Sequence, residues 1–470
     1  MHRRNKTMNK TNNQNLIDKS IAIFNGLNIK ELQKAGIERE DIKLSSHSHH
    51  IVTYPPIEFL PEISPSEIYS ENSPRNPKEV ALYLHLPFCT GKCLYCVYIT
   101  LANQPSDFVD RYLNAVEKEI DLLLKNPNLQ DITINSVYIG GGTPTYLSVQ
   151  QIGRVFQVLR SKFKIGNDIE ITVEAEPETI IGKKGEEKLR VLLQNGVNRL
   201  SIGFQTFNDD VLKLLRRRHN SKQAIESYNL AKKVGFENIN IDLIPGLPDQ
   251  TLEIWQSDLE KISELEPTSI TCYPLSIKKT AALWLMYQKE KERFPSHQDV
   301  ITMCIMADEY FSNLSYIKRP VWWYTKTSEY VYRQQIHKWG ELGEQLALGV
   351  SGYSFVDDFQ YSNYRITSQY LEAVERGDLP IYKGTKLSEE DLMRRLILFG
   401  LKVGLSKKLF QLKFNKNPKD VFKDVWEKLE KLGLIEEDDE LIELSDKGSL
   451  FADEIAKEFF SKETKDLLTT

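Results

Sequence analysis

From Ala81 onward, short apolar runs alternate with amphipathic stretches, and this alternation constrains the fold of the 470-residue chain more than any other feature. The apolar runs are Ala81–Leu86, Ser136–Ile139, Ile169–Ala175, Arg199–Phe204, Asn238–Leu243 and Ser269–Pro274. Between the first two, Phe108, Tyr112, Leu113, Val116, Ile120 and Leu123 recur at helical spacing. Helical patterns over Gln151–Phe163, Lys188–Gln194, Asn208–Leu215, Lys222–Val234 and Leu252–Leu265 follow. Strand–helix units in series predict a parallel sheet, because parallel neighbours need a crossover connection and a helix supplies it. Periodicity alone leaves a barrel and a doubly wound sheet open. Either architecture collects its ligands at the C-terminal ends of the strands.

The first strand leads into Pro87-Phe88-Cys89-Thr90-Gly91-Lys92-Cys93-Leu94-Tyr95-Cys96. Pro87 ends the apolar run, and three of the chain's five cysteines then follow in a Cys-x3-Cys-x2-Cys spacing. A closed structural zinc site takes four protein ligands. Iron–sulfur cubanes are held by cysteine thiolates, and one with three cysteines leaves an iron open to a substrate or cofactor. A zinc knuckle with a remote fourth ligand and three unrelated thiols are the alternatives. The spacing after an apolar strand favours the cluster.

Tyr-x-His-x-Pro-Phe-Cys-x3-Cys-x-Tyr-Cys, from Tyr83 to Cys96, resembles the cluster loop of radical S-adenosylmethionine (SAM) enzymes. More narrowly it resembles the group of oxygen-independent coproporphyrinogen III oxidase, which also holds haem chaperones and SAM-dependent C-methyltransferases and cyclopropanases. The resemblance runs from Tyr83 to the C-terminus. It implies an α/β fold: a partial (β/α)6 radical SAM barrel with an N-terminal extension and a small winged-helix-like C-terminal domain. It implies a [4Fe–4S] cluster on Cys89, Cys93 and Cys96, with SAM beside it and an electron donor such as flavodoxin or ferredoxin.

Further residues follow from the same resemblance. Gly140-Gly141-Gly142-Thr143-Pro144-Thr145 follows the second strand. Glycines there let backbone approach a ligand, and in the family this segment, with Gly141, Gly142 and Thr143, holds the SAM amino group. Glu174, Gln205 and Asp242 close the third, fourth and fifth strands and match SAM contacts, Asp242 through the ribose hydroxyls. Arg217 matches the arginine that binds the SAM carboxylate, a task suited to a planar guanidinium. Tyr83 matches a SAM-contacting tyrosine. His219 is given no role beyond packing or a cap, and Cys272 and Cys304 read as buried apolar residues. Residues near Gly182–Glu187 are expected to lengthen a loop.

The reaction is narrowed by elimination. The N-terminal region does not resemble true coproporphyrinogen oxidases, whose loop usually has another cysteine where this chain has Tyr98. The His-Asn pair tied to haem in the chaperone branch is replaced by Gln334-Gln335, before His337. The expected reaction is therefore methyl or methylene transfer to an unactivated carbon with a second SAM. The alternatives are a tetrapyrrole enzyme, acting by oxidative decarboxylation or haem breakdown, and a haem-binding chaperone-like protein. Trp322, Trp323, Tyr324, Tyr330 and Tyr332 suit either a flat substrate's pocket or core packing.

The remaining organisation comes from composition and local pattern. Net charge is −5, from 61 basic and 66 acidic side chains. This gives no support to nucleic-acid or membrane-surface binding, and no apolar run approaches a membrane span. The expected partners are a small organic substrate and the electron donor. The basic, Asn-rich first fifteen residues lack a secretory apolar core and read as a disordered tail, and clustered thiols fit a reducing compartment, so the expected location is cytoplasmic. Four segments are expected: 1–78, an extension with helices at Asn15–Leu27 and Ile29–Gly36 and a Pro-rich connector lying across the barrel; 79–300, the barrel; 301–386, a substrate-side extension; and 387–470, the C-terminal domain. In the last, Ser388 before Glu389, Glu390 and Asp391 is an N-cap pattern. Val421–Leu432 reads as a helix and Leu434–Leu444 as a hairpin whose acids argue against DNA.

Overall fold

The computed structural model describes residues 11–38, 42–43, 51–69, 78–319 and 321–469. The expected tail falls largely outside them, as do residues 45–50 and 70–77 of the Pro-rich connector. Six parallel strands form the centre: β1 (Glu79–Leu86), β2 (Thr133–Gly141), β3 (Lys164–Ala175), β4 (Arg199–Gln205), β5 (Asn238–Leu243) and β6 (Ser269–Cys272). They neighbour one another in chain order, with no reversal. A doubly wound sheet reverses its order at a switch point, so the sheet is singly wound, as a barrel requires. After an N-terminal helix, α1 (Thr11–Gly26), crossover helices α2 (Ser106–Leu123), α3 (Val149–Lys162), α4 (Gly182–Gln194), α5 (Asp209–Leu214), α6 (Ser221–Val234) and α7 (Leu252–Leu265) join the strands.

The strands explain the winding. Leu82, Leu84, Val137, Ile139, Ile171, Val173, Leu200, Ile202, Ile239 and Ile241 are buried in one core. The intervening positions are polar or aromatic, and register aligns them in rows: Tyr83 with Tyr138, Tyr138 with Thr172, Thr172 with Arg199. The next row runs through Glu174, Ser201, Asn240 and Ser269. Alternation in a parallel strand means that its two faces meet different surroundings: an apolar face under the helices and a polar face lining the lumen.

The barrel stays open and is extended at both edges. Beyond β6 lie β7 (Ile317–Lys318) and β8 (Trp323–Thr325), with β8 antiparallel to β6. Beyond β1 lies β9 (Glu344–Leu348), parallel to it, followed by antiparallel β10 (Tyr353–Val356), β11 (Phe359–Asn363) and β12 (Ile381–Lys386). Helices α8 (His297–Asn313), α9 (Arg333–Gly340) and α10 (Thr367–Arg376) lie within these extensions. Buried Glu119 on α2 fastens one extension to the barrel, accepting from Gly349 N at 2.8 Å, Asn363 Nδ2 at 2.6 Å and Tyr370 Oη at 2.7 Å.

A second core forms around α11 (Glu389–Gly400), capped by a Ser388–Asp391 box, with α12 (Lys407–Phe414), α13 (Lys423–Lys431) and α14 (Ala452–Glu458). A three-stranded sheet of Leu405–Ser406, Leu441–Leu444 and Ile435–Glu437 completes it. Leu27, Leu32, Ile51 and Tyr54 from the N-terminal part are buried in this same core. The connector therefore lies on the C-terminal helices and outer strands rather than across the barrel: the Tyr54 carbonyl accepts from Arg395 at 3.1 Å, and Pro61 O accepts from Gly384 N at 2.9 Å. Gly182–Glu187, expected to be loop, forms the first turns of α4. Gly185 allows that helix to lie on the Ile180 backbone, and Glu186 pairs with Arg190 one turn on at 2.6 Å. No described helix is long and apolar enough to cross a membrane.

Candidate active site

The cysteine loop leaves β1 at its C-terminal end and is held by the end of β2. Gly142 N donates to Leu86 O at 2.8 Å and Thr143 N to Phe88 O at 2.6 Å. A Cβ on Gly142 would lie 2.6 Å from Phe88 O and 2.7 Å from the Pro87 carbonyl carbon, so the approach requires glycine. Gly141, at φ 108°, lies against the His85 ring. The three thiols are free and half-buried. Cys89 Sγ lies 3.3 Å from Thr143 Oγ1, Cys93 Sγ accepts from Arg217 Nη1 at 3.5 Å, and Cys96 Sγ lies 3.7 Å from Thr100 Oγ1. Burial pushes the Cys89 thiol up to about 12. A metal or iron–sulfur centre supplies the positive charge that offsets such a penalty.

The residues expected to contact SAM gather at the same pole. Glu174 accepts from Tyr138 Oη at 2.5 Å and from Gly141 N at 3.0 Å, and burial pushes its carboxyl up to about 7. Asp242 accepts from Asn240 Nδ2 at 2.7 Å and Ser201 Oγ at 3.3 Å, and burial likewise raises it. Tyr83 Oη lies 3.1 Å from His85 Nδ1, and burial lowers His85 to about 4. Gln205 ends β4 in the left-handed region at φ 71°.

Of the three consecutive arginines, only Arg217 is buried; Arg216 and Arg218 are exposed. Arg217 forms a two-pronged ion pair with Glu176 and donates to Gly203 O, with Tyr95 Oη 3.2 Å from Nη1. Glu176 was not expected here, although it stands two residues beyond Glu174 in an extended segment, where side chains i and i+2 share a face. Glu176, Glu178 and His219 bring one ligand-type atom each within 4.8 Å of one another, and the Arg217 guanidinium already occupies the cation's place beside them.

The residues present fit a cluster with SAM. Three thiols stand on one loop, and two buried polar atoms beside them, Gln205 Oε1 and Arg217 Nε, have no partner in the described structure. Orphaned buried polar atoms are rare unless something is meant to meet them. Deeper in the lumen Tyr83 stacks on Tyr138 at 6.0 Å, Tyr138 meets Tyr332 at 5.7 Å, and Arg199 lies 4.5 Å above the Tyr332 ring. Tyr332 is the member of the aromatic stretch that faces the lumen, while Tyr324 is buried in the core. His337 lies at the other pole, 3.3 Å from Asn135 Nδ2 and 3.0 Å from Glu341 Oε2. Cys272 and Cys304 are buried apart from the loop.

Comparison with known proteins agrees with this geometry. The model of the radical SAM superfamily matches residues 83–262, and that of the HemN C-terminal domain matches residues 387–451. The chain is 30% identical to the oxygen-independent coproporphyrinogen III oxidase of Salmonella typhimurium, over 69% of this chain and 72% of that protein. It is 27% identical to the haem chaperone HemW of Bacillus subtilis, over 81% of this chain and 99% of that protein. The solved structure of the Escherichia coli coproporphyrinogen III oxidase HemN superposes with a TM-score of 0.76 at 25% identity, covering 90% of this chain and all of that one.

Proposed function

Because the chain belongs to the radical SAM superfamily, with the C-terminal domain of the HemN type, we propose that it is a radical SAM enzyme acting on a tetrapyrrole-class substrate by hydrogen abstraction. Cys89, Cys93 and Cys96 are the proposed cluster ligands. Once reduced, a [4Fe–4S] cluster with SAM supplies a 5′-deoxyadenosyl radical. The protein's part is to bind, orient and exclude water.

Arg217 would take the SAM carboxylate in exchange for part of its pairing with Glu176. Gln205 Oε1 and the carboxylate of Asp242 offer acceptors to the nucleoside. Glu174 ties the glycine segment to the lumen wall through Gly141 and Tyr138. Gly141, Gly142 and Thr143 keep that segment against the cysteine loop.

The lumen carries the substrate assignment. Tyr83, Tyr138 and Tyr332 offer aromatic contacts to the pyrrole rings of a tetrapyrrole, and Arg199 over Tyr332 offers a cation to an acidic side chain. The oxidases and haem chaperones among the relatives support this over alkyl transfer with a second SAM. His337 does not favour a haem-binding reading, since Asn135 and Glu341 already engage it. The C-terminal helices and three-stranded sheet are read as a winged-helix-like cover.

The test is anaerobic reconstitution followed by incubation with reductant, SAM and coproporphyrinogen III. The expected result is substrate-dependent 5′-deoxyadenosine, with no S-adenosylhomocysteine and a decarboxylated product. Equal amounts of both nucleosides, with label from methyl-deuterated SAM entering a product, would turn the assignment to alkyl transfer.

A further inference from the structure

The lumen row that holds Tyr83, Tyr138, Thr172 and Arg199 continues past β1 into the outer strands. Ala347 on β9 stands opposite Tyr83. Gln345 pairs with Phe355 in the antiparallel β9–β10 ladder, so Tyr353 stands opposite Ala347. The row therefore reaches Tyr353, with the small Ala347 between it and Tyr83. Gln345 Nε2 donates to Tyr353 O at 2.9 Å and fixes the strand there. After burial and the nearby carboxylates, Tyr353 is among the groups that raise the phenols of Tyr83 and Tyr332, so these hydroxyls share one space. Helix α9 reaches the same place. Its Gln334 Nε2 donates to Leu82 O at 3.4 Å, and one turn on Lys338 Nζ donates to Tyr353 Oη at 2.9 Å. Nζ also lies 5.2 Å from the centroid of the Tyr353 ring.

The hydroxyls of the other tyrosines in this row and above it are already engaged. Tyr138 Oη donates to Glu174 at 2.5 Å, Tyr332 Oη donates to Gln334 Oε1 at 3.3 Å, and Tyr83 Oη lies 3.1 Å from His85 Nδ1. Tyr353 differs: its oxygen accepts from Lys338, and its own proton meets no acceptor among the described residues. The Lys338 ammonium has no ion-pair partner among them either, and an ammonium carries further protons beyond the one given to Tyr353. Both side chains are half-buried, where an unpaired charge is costly. A phenol proton beside an uncompensated ammonium suits a carboxylate, which accepts charge-assisted bonds from both.

We propose that Tyr353 and Lys338 hold a carboxylate of the substrate. The assignment deepens the tetrapyrrole-class reading and rests on it. Arg199 offers the other charged anchor. Along the row, five strand spacings of about 4.8 Å separate it from Tyr353, about 24 Å of curved wall. One acidic side chain cannot serve both places. The lumen therefore selects a substrate with carboxylates on two separate edges and fixes its orientation between them.

The test follows binding to the reconstituted full chain of two porphyrins, coproporphyrin III and its uncharged tetra-amide, by the shift of their absorbance. The parent is compared with Tyr353→Phe, Lys338→Met and the charge-retaining Lys338→Arg. The parent is expected to bind the acid more tightly than the amide. Tyr353→Phe and Lys338→Met should each weaken binding of the acid by about tenfold or more, the usual scale for a charged hydrogen bond, and leave the amide unchanged. Lys338→Arg should recover most of the parent's affinity. In turnover, the KM for coproporphyrinogen III should rise with these losses while the KM for SAM does not. Variants that bind the acid as tightly as the parent overturn the site. So do variants that lose acid and amide alike, which is what a merely structural role would give. A parent that cleaves SAM yet binds neither porphyrin overturns the tetrapyrrole reading, and the site with it.

Discussion

Replacing Gly142 by alanine tests whether the end of β2 is what keeps the cysteine loop in shape. The added Cβ would lie 2.6 Å from Phe88 O, where ordinary contact begins at 3.4 Å, and its other near neighbours are also backbone of Leu86 and Pro87. Relief therefore needs the loop to move by about 0.8 Å relative to β2, and no side chain can swing aside instead. Overpacking of this kind costs about 1–3 kcal/mol. The movement also stretches the Gly142–Leu86 and Thr143–Phe88 hydrogen bonds, each worth about 1 kcal/mol net. A local cost of about 2–4 kcal/mol is small beside the stability of a large fold, so the chain should fold and the loop should hold its centre less well. At about 1.4 kcal/mol per tenfold, retention falls about 30-fold to several hundredfold. The assay is iron and sulfide per chain after anaerobic reconstitution, with the rate of iron release to a chelator and far-UV circular dichroism alongside. Gly153→Ala is the control: it sits within α3 with no atom within 4 Å of the added carbon, and should keep the parent's iron while gaining up to about 1 kcal/mol. A Gly142→Ala protein with the parent's iron, sulfide and release rate would refute this account of the site.

Three further outcomes are expected. Cys89→Ala should abolish iron loading, whereas Cys272→Ala, buried away from the loop, should leave iron per chain unchanged. Burial raises the Glu119 carboxyl from its ordinary 4.5 to about 7 against three donors. The stability it confers is therefore full below about pH 4.5, and about 3 kcal/mol of it is lost as pH rises to about 7. Denaturant titrations from pH 4.5 to 8 should show that slope in the parent and a flatter profile in Glu119→Gln. Lys402 and Asp453 form a buried ion pair in the C-terminal part, so Lys402→Met should cost about 1.5–3 kcal/mol, the loss of one charged hydrogen bond to a carboxylate that keeps its contact with Ile51 N, read as a lower denaturant midpoint.

The choice between barrel and doubly wound sheet, which strand–helix periodicity leaves open, becomes readable in the strands once the lumen is known. Ile169-Glu170-Ile171-Thr172-Val173-Glu174-Ala175 is not a continuous apolar run. Like Asn238-Ile239-Asn240-Ile241-Asp242, it alternates, and a parallel strand buried under helices on both faces would not. The same alternation places Tyr138, Arg199 and Glu174 on one lining. Legibility failed where partners are distant in sequence. Nothing local announces that Glu176 closes on Arg217, and only its parity with Glu174 was available. Strands β9 to β12 are illegible as a sheet extension because strands such as Phe359–Asn363, paired on both sides, mix buried polar residues with aromatics. The helix at Lys407–Phe414 was missed because Phe410 alone among its residues is fully buried, which leaves little periodicity to read.

The shared second core has a consequence for how the chain is made. Ile51 N donates to Asp453 Oδ1 at 3.2 Å across 402 positions, and Ser461 N donates to Tyr54 Oη across 407. Ile51 and Tyr54 therefore cannot complete these contacts until residues 402 and 407 positions further along have been synthesised. Chains emerge at about 5–20 residues per second, so these residues wait tens of seconds while the barrel forms beside them. Contacts of such span are slow to close and exposed to aggregation meanwhile. Nascent chains stalled after the barrel should consequently be clients of holding chaperones, and a protein shortened at either end should fail at the opposite one.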